Sequence, residues 1–222
     1  MALVFGLAGS AYAQLGVYGM ATGQRFSGVT CPSFASPCAS NDGVVRPYGG
    51  TFGIYYDFKN LGPVRIGADV RSDVLTSNKR ADSSAGGEGI LRAYNTLGGL
   101  RGSFRTPIHW LHPYAEIAGG YSRNNSIGQY TITSNALSSV SQVNFNPAIY
   151  SNYTLVKGFV GLDVAIFPFL DLRAIELGEG EAFGSAANVR TVNSDGSVSQ
   201  TFSPSTHGTQ SIGAGLVLHL PR

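Results

Sequence analysis

A chain of 222 residues is long enough for one domain with a sizeable interior, and no linker-like stretch divides it. Only 13% of its residues are charged and the formal net charge is +2, with lysine confined to Lys59, Lys79 and Lys157, so it carries no basic patch of the kind that nucleic-acid binding needs. No run approaches the ~20 continuous apolar residues of a membrane-spanning helix, so a chain of this kind that spans a membrane does so with strands.

Met1 to Ala13 reads as a secretory signal. An apolar core through Leu3, Val4, Phe5 and Leu7 precedes a small-residue site at Ala11-Tyr12-Ala13, which places cleavage after Ala13 and the folded domain in residues 14–222. The first strand then runs from about Gln14 to Arg25, its alternation softened by Gly16, Gly19 and Gly23. Cys31 and Cys38 fall in the long loop that follows, separated by two prolines and with no histidine near. That pattern predicts a local disulfide in an oxidising compartment rather than a metal site.

Strand two, Tyr48 to Phe58, sets Phe52, Ile54, Tyr56 and Phe58 against Thr51, Gly53, Tyr55 and Asp57, because strand side chains alternate between faces. A turn over Lys59 to Pro63 returns the chain into strand three, about Val64 to Ser72. There Val64, Ile66, Ala68 and Val70 oppose Arg65, Gly67, Asp69 and Arg71. Strand four, about Ile90 to Phe104, groups Tyr94, Thr96, Gly98, Leu100 and Phe104 opposite Asn95, Leu97, Gly99 and Arg101. Strand five, Tyr114 to Ser122, sets Ala115, Ile117 and Tyr121 against Tyr114, Glu116 and Ala118. Strand six, about Tyr153 to Ile166, and strand seven, Leu170 to Gly178, alternate likewise. Glu176 is out of phase with Asp171 and Arg173, which predicts a β-bulge near Ala174 and Ile175. Strand eight, Thr209 to Leu220, has the clearest pattern, with Ile212, Ala214, Leu216, Leu218 and Leu220 on one side.

The connections after Phe58, Phe104 and Phe167 are tight. Those after Phe26, Val74, Ser122 and Gly180 are long and rich in Ser, Asn and Gly. Eight alternating strands joined alternately by short and long links predict an eight-stranded antiparallel up-and-down transmembrane β-barrel, with short periplasmic turns and long extracellular loops. Soluble barrels alternate too, but their outer faces are rich in Lys and Glu, which are few here. Tyr48, Tyr55, Tyr56, Phe58, Phe104, Trp110, Tyr114, Tyr121, Tyr153, Phe167 and Phe169 cluster near strand ends as two interfacial girdles would. Val64, Ile66, Leu162, Val164, Leu216 and Leu218 are then expected to face lipid.

With the apolar face outward, each tight hairpin places one acid and one base inward at roughly mirror positions: Asp57 with Arg65, Arg101 with Glu116, Asp163 with Arg173. Directly opposed Cβ atoms lie about 4.5–5.5 Å apart, which predicts cross-strand ion pairs, and Asp69, Arg71 and Glu176 extend the charge ladder inside the lumen. Such a ladder either plugs a small barrel or lines a narrow pore.

The segments Gly50 to Phe58, Gly62 to Asp69, Pro113 to Glu116 and Gly213 to Leu220 resemble the small eight-stranded outer-membrane barrels of the OmpA and OmpX type, and the resemblance spans Gln14 to Leu220. It implies a bacterial outer-membrane location, contact with outer-membrane lipid and lipopolysaccharide, and insertion by the outer-membrane assembly machinery through the C-terminal strand. It implies no cofactor, metal or catalytic residue.

Three roles stay open: a structural or adhesive barrel that presents its loops, a narrow channel, and a lipid A-modifying enzyme. For the last, His207 lies near Ser203 and Ser205, with Glu179 and Glu181 across the final loop, a Ser-His-Glu composition without a recognisable motif. The stretch Asn124 to Asn152 contains no charged residue, yet Tyr130 and Ile132, then Val143 and Phe145, alternate as strands do. The final connection repeats this with Val189 before an Asn193-Ser194-Asp195-Gly196 turn and Phe202 after it. Both are expected to form hairpins above the membrane that contact a protein or glycan partner, or a second copy of the chain.

Overall fold

The computed structural model describes the backbone of residues 14–27, 46–77, 90–127, 130–136, 139–145, 148–192 and 198–220, and side chains over 15–27, 46–77, 92–124, 152–184 and 206–220. In chain order the strands are β1 (Gln14–Ser27), β2 (Tyr48–Leu61), β3 (Val64–Thr76), β4 (Ile90–Phe104), β5 (Leu111–Ile127), β6 (Tyr130–Ala136), β7 (Ser139–Phe145), β8 (Ala148–Phe167), β9 (Leu170–Val192) and β10 (Val198–His219). Eight of them close a barrel in the order β1-β10-β9-β8-β5-β4-β3-β2, every neighbour antiparallel, while β6 and β7 form a separate two-stranded sheet. The barrel closes where β1 meets β10, from Gly16 opposite His219 to Ser27 opposite Gly208. Closure leaves no unpaired ladder edge, the condition for a sheet to cross hydrocarbon.

Period-two alternation decides which face is wet. Along β3, Asp69, Arg71, Asp73 and Leu75 are buried while Ala68, Val70, Ser72 and Val74 are exposed. The outward face is apolar around the barrel, with Ile117 64%, Leu100 59% and Val160 55% exposed, the reverse of a water-soluble barrel. Leu216 and Leu218 lie fully on this face; Val64, Ile66, Leu162 and Val164 lie on it half-covered.

Exposed aromatics mark both borders of the band: Phe58, Phe104, Trp110, Phe167 and Phe169 at the tight-turn end, Tyr48, Tyr94, Tyr121 and Phe183 at the other. On β4 the stretch from Tyr94 to Phe104 covers about 33 Å of strand at ~3.3 Å per residue, which a tilt of ~40° reduces to the ~25 Å height of an outer-membrane apolar band. Three aromatics assigned to the girdles from sequence belong elsewhere. Tyr55, Tyr114 and Tyr153 are buried in the lumen, because each shares inward parity with a polar lumenal neighbour.

The turn between β2 and β3 is tighter than the predicted five residues. Only Gly62 and Pro63 separate the strands, and Gly62 has φ of 62°, the positive value that primed hairpin turns require at their first position. The bulge on β9 forms where expected: Leu162 pairs with Ile175 and Asp163 with Arg173, leaving Ala174 unopposed. Ala174 and Ile175 both face outward, so Arg173 and Glu176 both face the lumen.

Strands five to eight of the sequence reading are longer in the structure than their apolar alternation. β9 continues to Val192 and β10 begins at Val198, with Val198 still paired to Val192. Beyond Phe183 this ribbon adds nine residues of β9, about 30 Å of strand. Signal residues 1–13 and the Cys31–Cys38 segment lie outside the described residues.

Candidate functional site

The lumen is filled by an alternating stack of cations and aromatic rings. Arg101 lies between the rings of Tyr55 at 3.9 Å and Tyr114 at 4.1 Å; Arg173 lies between Tyr114 at 4.5 Å and Tyr18 at 4.2 Å. Arg71 lies between Tyr18 at 5.6 Å and Phe159 at 3.9 Å, and Lys157 sits 5.2 Å from the Phe159 ring. The order Tyr55, Arg101, Tyr114, Arg173, Tyr18, Arg71, Phe159, Lys157 draws on seven of the eight barrel strands, so it ties together distant parts of the wall. Ring faces attract cations most strongly where water is excluded, and the three arginines and Lys157 are all buried.

Four carboxylates balance these four cations. Arg71 donates from Nη2 to Glu116 at 2.6 Å, from Nη1 to Glu176 at 2.7 Å and from Nε to Asp69 at 3.3 Å. Arg173 donates from Nε and Nη2 to the two oxygens of Asp163 at 2.9 and 3.2 Å, and from Nη1 to Glu176 at 3.3 Å. Arg101 donates from Nη2 to Asp163 at 2.9 Å. The Tyr18 hydroxyl donates to Asp69 at 2.9 Å, the Tyr114 hydroxyl donates to Glu176, and Lys157 donates to the Ser211 hydroxyl at 2.8 Å. Pairing is the form in which a small lumen can hold ions out of water, and the atoms it leaves without a hydrogen-bond partner among the described residues include Arg101 Nε and Nη1, Glu116 Oε1 and Asp69 Oδ2.

Nearer the loops the lumen becomes less charged. Asp73 accepts from Thr51 at 2.8 Å and from Asn95 at 2.9 Å, Asn95 also donates to Gln24 at 3.2 Å, and His207 contacts the Tyr153 hydroxyl at 3.2 Å. At the opposite mouth His112 Nδ1 and His219 Nε2 flank Asp171 Oδ2 at 3.3 and 2.8 Å.

Of the three expected hairpin pairs, Asp163 and Arg173 meet. Arg101 and Glu116 are opposite in register, yet their charges part: Arg101 reaches across to Asp163, and Glu116 is taken by Arg71. Opposed Cβ atoms fix only where a side chain starts, and an arginine is long enough to choose a partner across the lumen. Asp57 lies opposite Gly67, and Arg65 opposite Asn60, because the two-residue turn pairs Leu61 with Val64 and so offsets the mirror positions that a five-residue turn would have given. Asp69, Arg71 and Glu176 all lie within the lumenal network.

Of the Ser-His-Glu grouping, His207 does not meet Glu179 or Glu181, and the side chains of Ser203 and Ser205 lie outside the described residues. His207 is buried on the lumenal face, whereas Glu179 and Glu181 are exposed on the outer face, where Glu179 accepts from Gln210 at 3.5 Å. Parity along β9 and β10 separates them.

The β6–β7 hairpin supplies the second candidate surface. Its register sets Tyr130 opposite Phe145 and Ile132 opposite Val143, so these four residues belong to one face of the ribbon; Thr131, Thr133, Gln142 and Asn144 belong to the other. The barrel ladder below it remains complete up to Ile127 opposite Ala148. In the final hairpin Val189 lies opposite Gln200 and Phe202 opposite Ala187.

No family model matches the chain, and no curated protein matches it. Among solved structures, Neisserial surface protein A aligns with 93% of this chain and 98% of its own, at 13% identity and a TM-score of 0.51. A major outer membrane protein of Thermus thermophilus aligns at 13% identity over 92% of this chain and 99% of its own, with a TM-score of 0.46. Ail of Yersinia pestis, in complex with the heparin analogue sucrose octasulfate, aligns at 12% identity over 92% and 99%, with a TM-score of 0.45. With its closed eight-stranded ladder, apolar exterior and paired aromatic borders, the chain has the fold of the small eight-stranded outer-membrane β-barrels.

Proposed function

We propose that this protein is a non-catalytic outer-membrane barrel whose sealed lumen serves as a rigid core and whose extracellular hairpins are its working surface, presented to a protein or glycan partner. The observation that carries this reading is the β6–β7 ribbon. It stands apart from the barrel ladder, draws on a stretch of 29 residues without a charge (Asn124 to Asn152), and its register sorts Tyr130, Ile132, Val143 and Phe145 onto one face. A loop needed only for solubility gains from charge. A ribbon with one apolar face and open strand edges gains from a partner, by apolar contact or by strand addition.

The lumenal stack supports the same reading from below, since a barrel filled by side chains holds its rim rigid and has little room to conduct. The Cys31–Cys38 disulfide, proposed from spacing, would restrain the first outer loop in the same way. Outer-membrane lipid and lipopolysaccharide surround the wall, and the insertion machinery is a transient partner during assembly.

Replacing residues 129–146 with a short Gly-Ser turn tests the proposal. The variant is expected to insert and to keep its heat-modifiable migration, because the ladder closes without the ribbon, while binding to host-type glycans or proteins and self-association are lost. Unchanged binding and assembly in that variant would overturn the role assigned to the ribbon.

A further inference from the structure

Four arginines face outward at the loop end of the barrel, just beyond its aromatic border. Arg46 lies two residues beyond Tyr48, Arg92 two beyond Tyr94 and Arg123 two beyond Tyr121, and all three are exposed. Arg25 on β1 lies two beyond Gly23, which pairs with Tyr48, and is exposed as well. Two residues of strand tilted by ~40° rise about 5 Å. That step carries these side chains from the border of the hydrocarbon to the level of the lipid headgroups.

The arginines come in two pairs, each on adjacent strands. The register that sets Gly23 opposite Tyr48 continues outward, with the Gln24 amide donating to the Pro47 carbonyl at 2.8 Å, and brings Arg25 opposite Arg46. Arg92 lies opposite Asn125 and Arg123 opposite Tyr94, which makes Arg92 and Arg123 diagonal neighbours. Cβ atoms are about 5 Å apart in the first arrangement and about 7–8 Å in the second. Like charges this close are unfavourable in a sheet, and an anion seated between them reverses the sign of the interaction.

The charge is one-sided. In the closed order β1, β2, β4 and β5 flank β3 symmetrically, and the strand diametrically across from β3 is β9. There the outward charges are acidic: Glu179 and Glu181 are exposed and lie on the membrane side of Phe183. An anionic headgroup is thus attracted to the β3 side of the barrel and repelled from the β9 side. Each guanidinium presents a planar fork of N–H donors, which phosphate oxygens accept in pairs. We propose that the two arginine pairs bind the phosphate groups of a phosphorylated glycolipid, the lipopolysaccharide of the outer leaflet, on the β3 side of the barrel alone. The proposal rests on the outer-membrane placement of the barrel and is independent of the role given to the hairpins.

The test is native mass spectrometry of the full chain, released from detergent micelles that contain diphosphoryl lipid A and phosphatidylcholine in equal amounts. The wild type is expected to retain lipid A in preference to phosphatidylcholine. Arg25→Gln with Arg46→Gln, and Arg92→Gln with Arg123→Gln, should each weaken lipid A retention roughly tenfold or more. Glu179→Gln with Glu181→Gln changes as many charges on the opposite wall, and should leave retention unchanged or raise it. All six side chains are exposed on the outer face, outside the packed lumen, and heat-modifiable migration shows separately that each variant is a folded barrel. Equal retention of the two lipids by the wild type, arginine variants that hold lipid A as the wild type does, or an equal loss in the glutamate variant would overturn the proposal. So would wild-type dimers that disappear in both the arginine and the glutamate variants, which would assign the two charged arcs to contact between neighbouring copies.

Discussion

Removing Arg71 should be the most damaging single change in the lumen, and its cost follows from what the change leaves behind. In Arg71→Met, Asp69 keeps the Tyr18 hydroxyl, and Glu176 keeps Arg173 and Tyr114. Glu116 is different: its Oε2 loses the 2.6 Å bond to Arg71, and its Oε1 already has no hydrogen-bond partner among the described residues. A buried carboxylate stranded in this way costs about 3–5 kcal/mol. Glu116→Gln alone removes one charge-assisted bond and leaves Arg71 held by Glu176 and Asp69, which should cost about 1.5–3 kcal/mol. In the double variant no charge is stranded at Glu116, so its destabilisation should fall short of the sum by about 1–3 kcal/mol. The parallel cycle with Arg101→Met and Glu116→Gln should be additive within about 0.5 kcal/mol, despite the direct register of those two residues. Urea unfolding of the barrel in lipid vesicles provides the assay, read by the fluorescence of the single tryptophan, Trp110, in the turn before β5. A larger coupling for Arg101 with Glu116 than for Arg71 with Glu116 would refute the observed choice of partners.

Leu216→Arg should cost about 2–4 kcal/mol in the same vesicle assay if its outward position is near the midplane, and much less in detergent that lets the charge reach water. Gly120→Ala should be far more damaging than Gly98→Ala: a Cβ at Gly120 would fall 2.0 Å from the Thr96 carbonyl oxygen, whereas at Gly98 the nearest atom is 4.0 Å away, so thermal migration shifts of the two variants should differ sharply. Planar-bilayer recordings of the intact protein should show no stable conductance steps, and regular steps that depend on ion size would contradict a lumen sealed by the arginine stack. Mass mapping of the unreduced protein should recover Cys31 and Cys38 in one linked peptide, and free thiols at both would remove the proposed loop restraint.

The strands were legible where each residue has two different surroundings. Ile212 to Leu220 alternates because one face meets hydrocarbon and the other the lumen, and Glu176 revealed the bulge because a charge out of phase needs an extra residue to turn inward. Above the membrane that contrast disappears. Backbone ladders extend β9 to Val192 and β10 down to Val198 through Ser, Asn and Thr, since hydrogen-bonded pairing there does not require an apolar face. The lumen was legible as a set of inward charges but not as a set of contacts. Register gives the origin of Arg101 and Glu116, and only the packed interior decides that Arg101 turns to Asp163 and Arg71 to Glu116. The aromatic half of the stack was missed although its parity was visible: Tyr55 shares a face with Asp57, and Tyr114 with Glu116. A tyrosine on the charged side of a strand is the signal that distinguishes a ring stacked on arginine from one at a lipid interface.

The most direct test of the membrane-spanning fold is a nitroxide scan of β8, one spin label at a time at Val156, Lys157, Gly158, Phe159 and Val160, in a Cys31→Ser, Cys38→Ser background in liposomes. Val156, Gly158 and Val160 are exposed on the outer face, and Lys157 and Phe159 are buried in the lumen. Collision with membrane-dissolved oxygen should therefore be high at 156, 158 and 160 and low at 157 and 159. A reversed phase, or a profile with no period of two, would contradict an apolar exterior facing lipid.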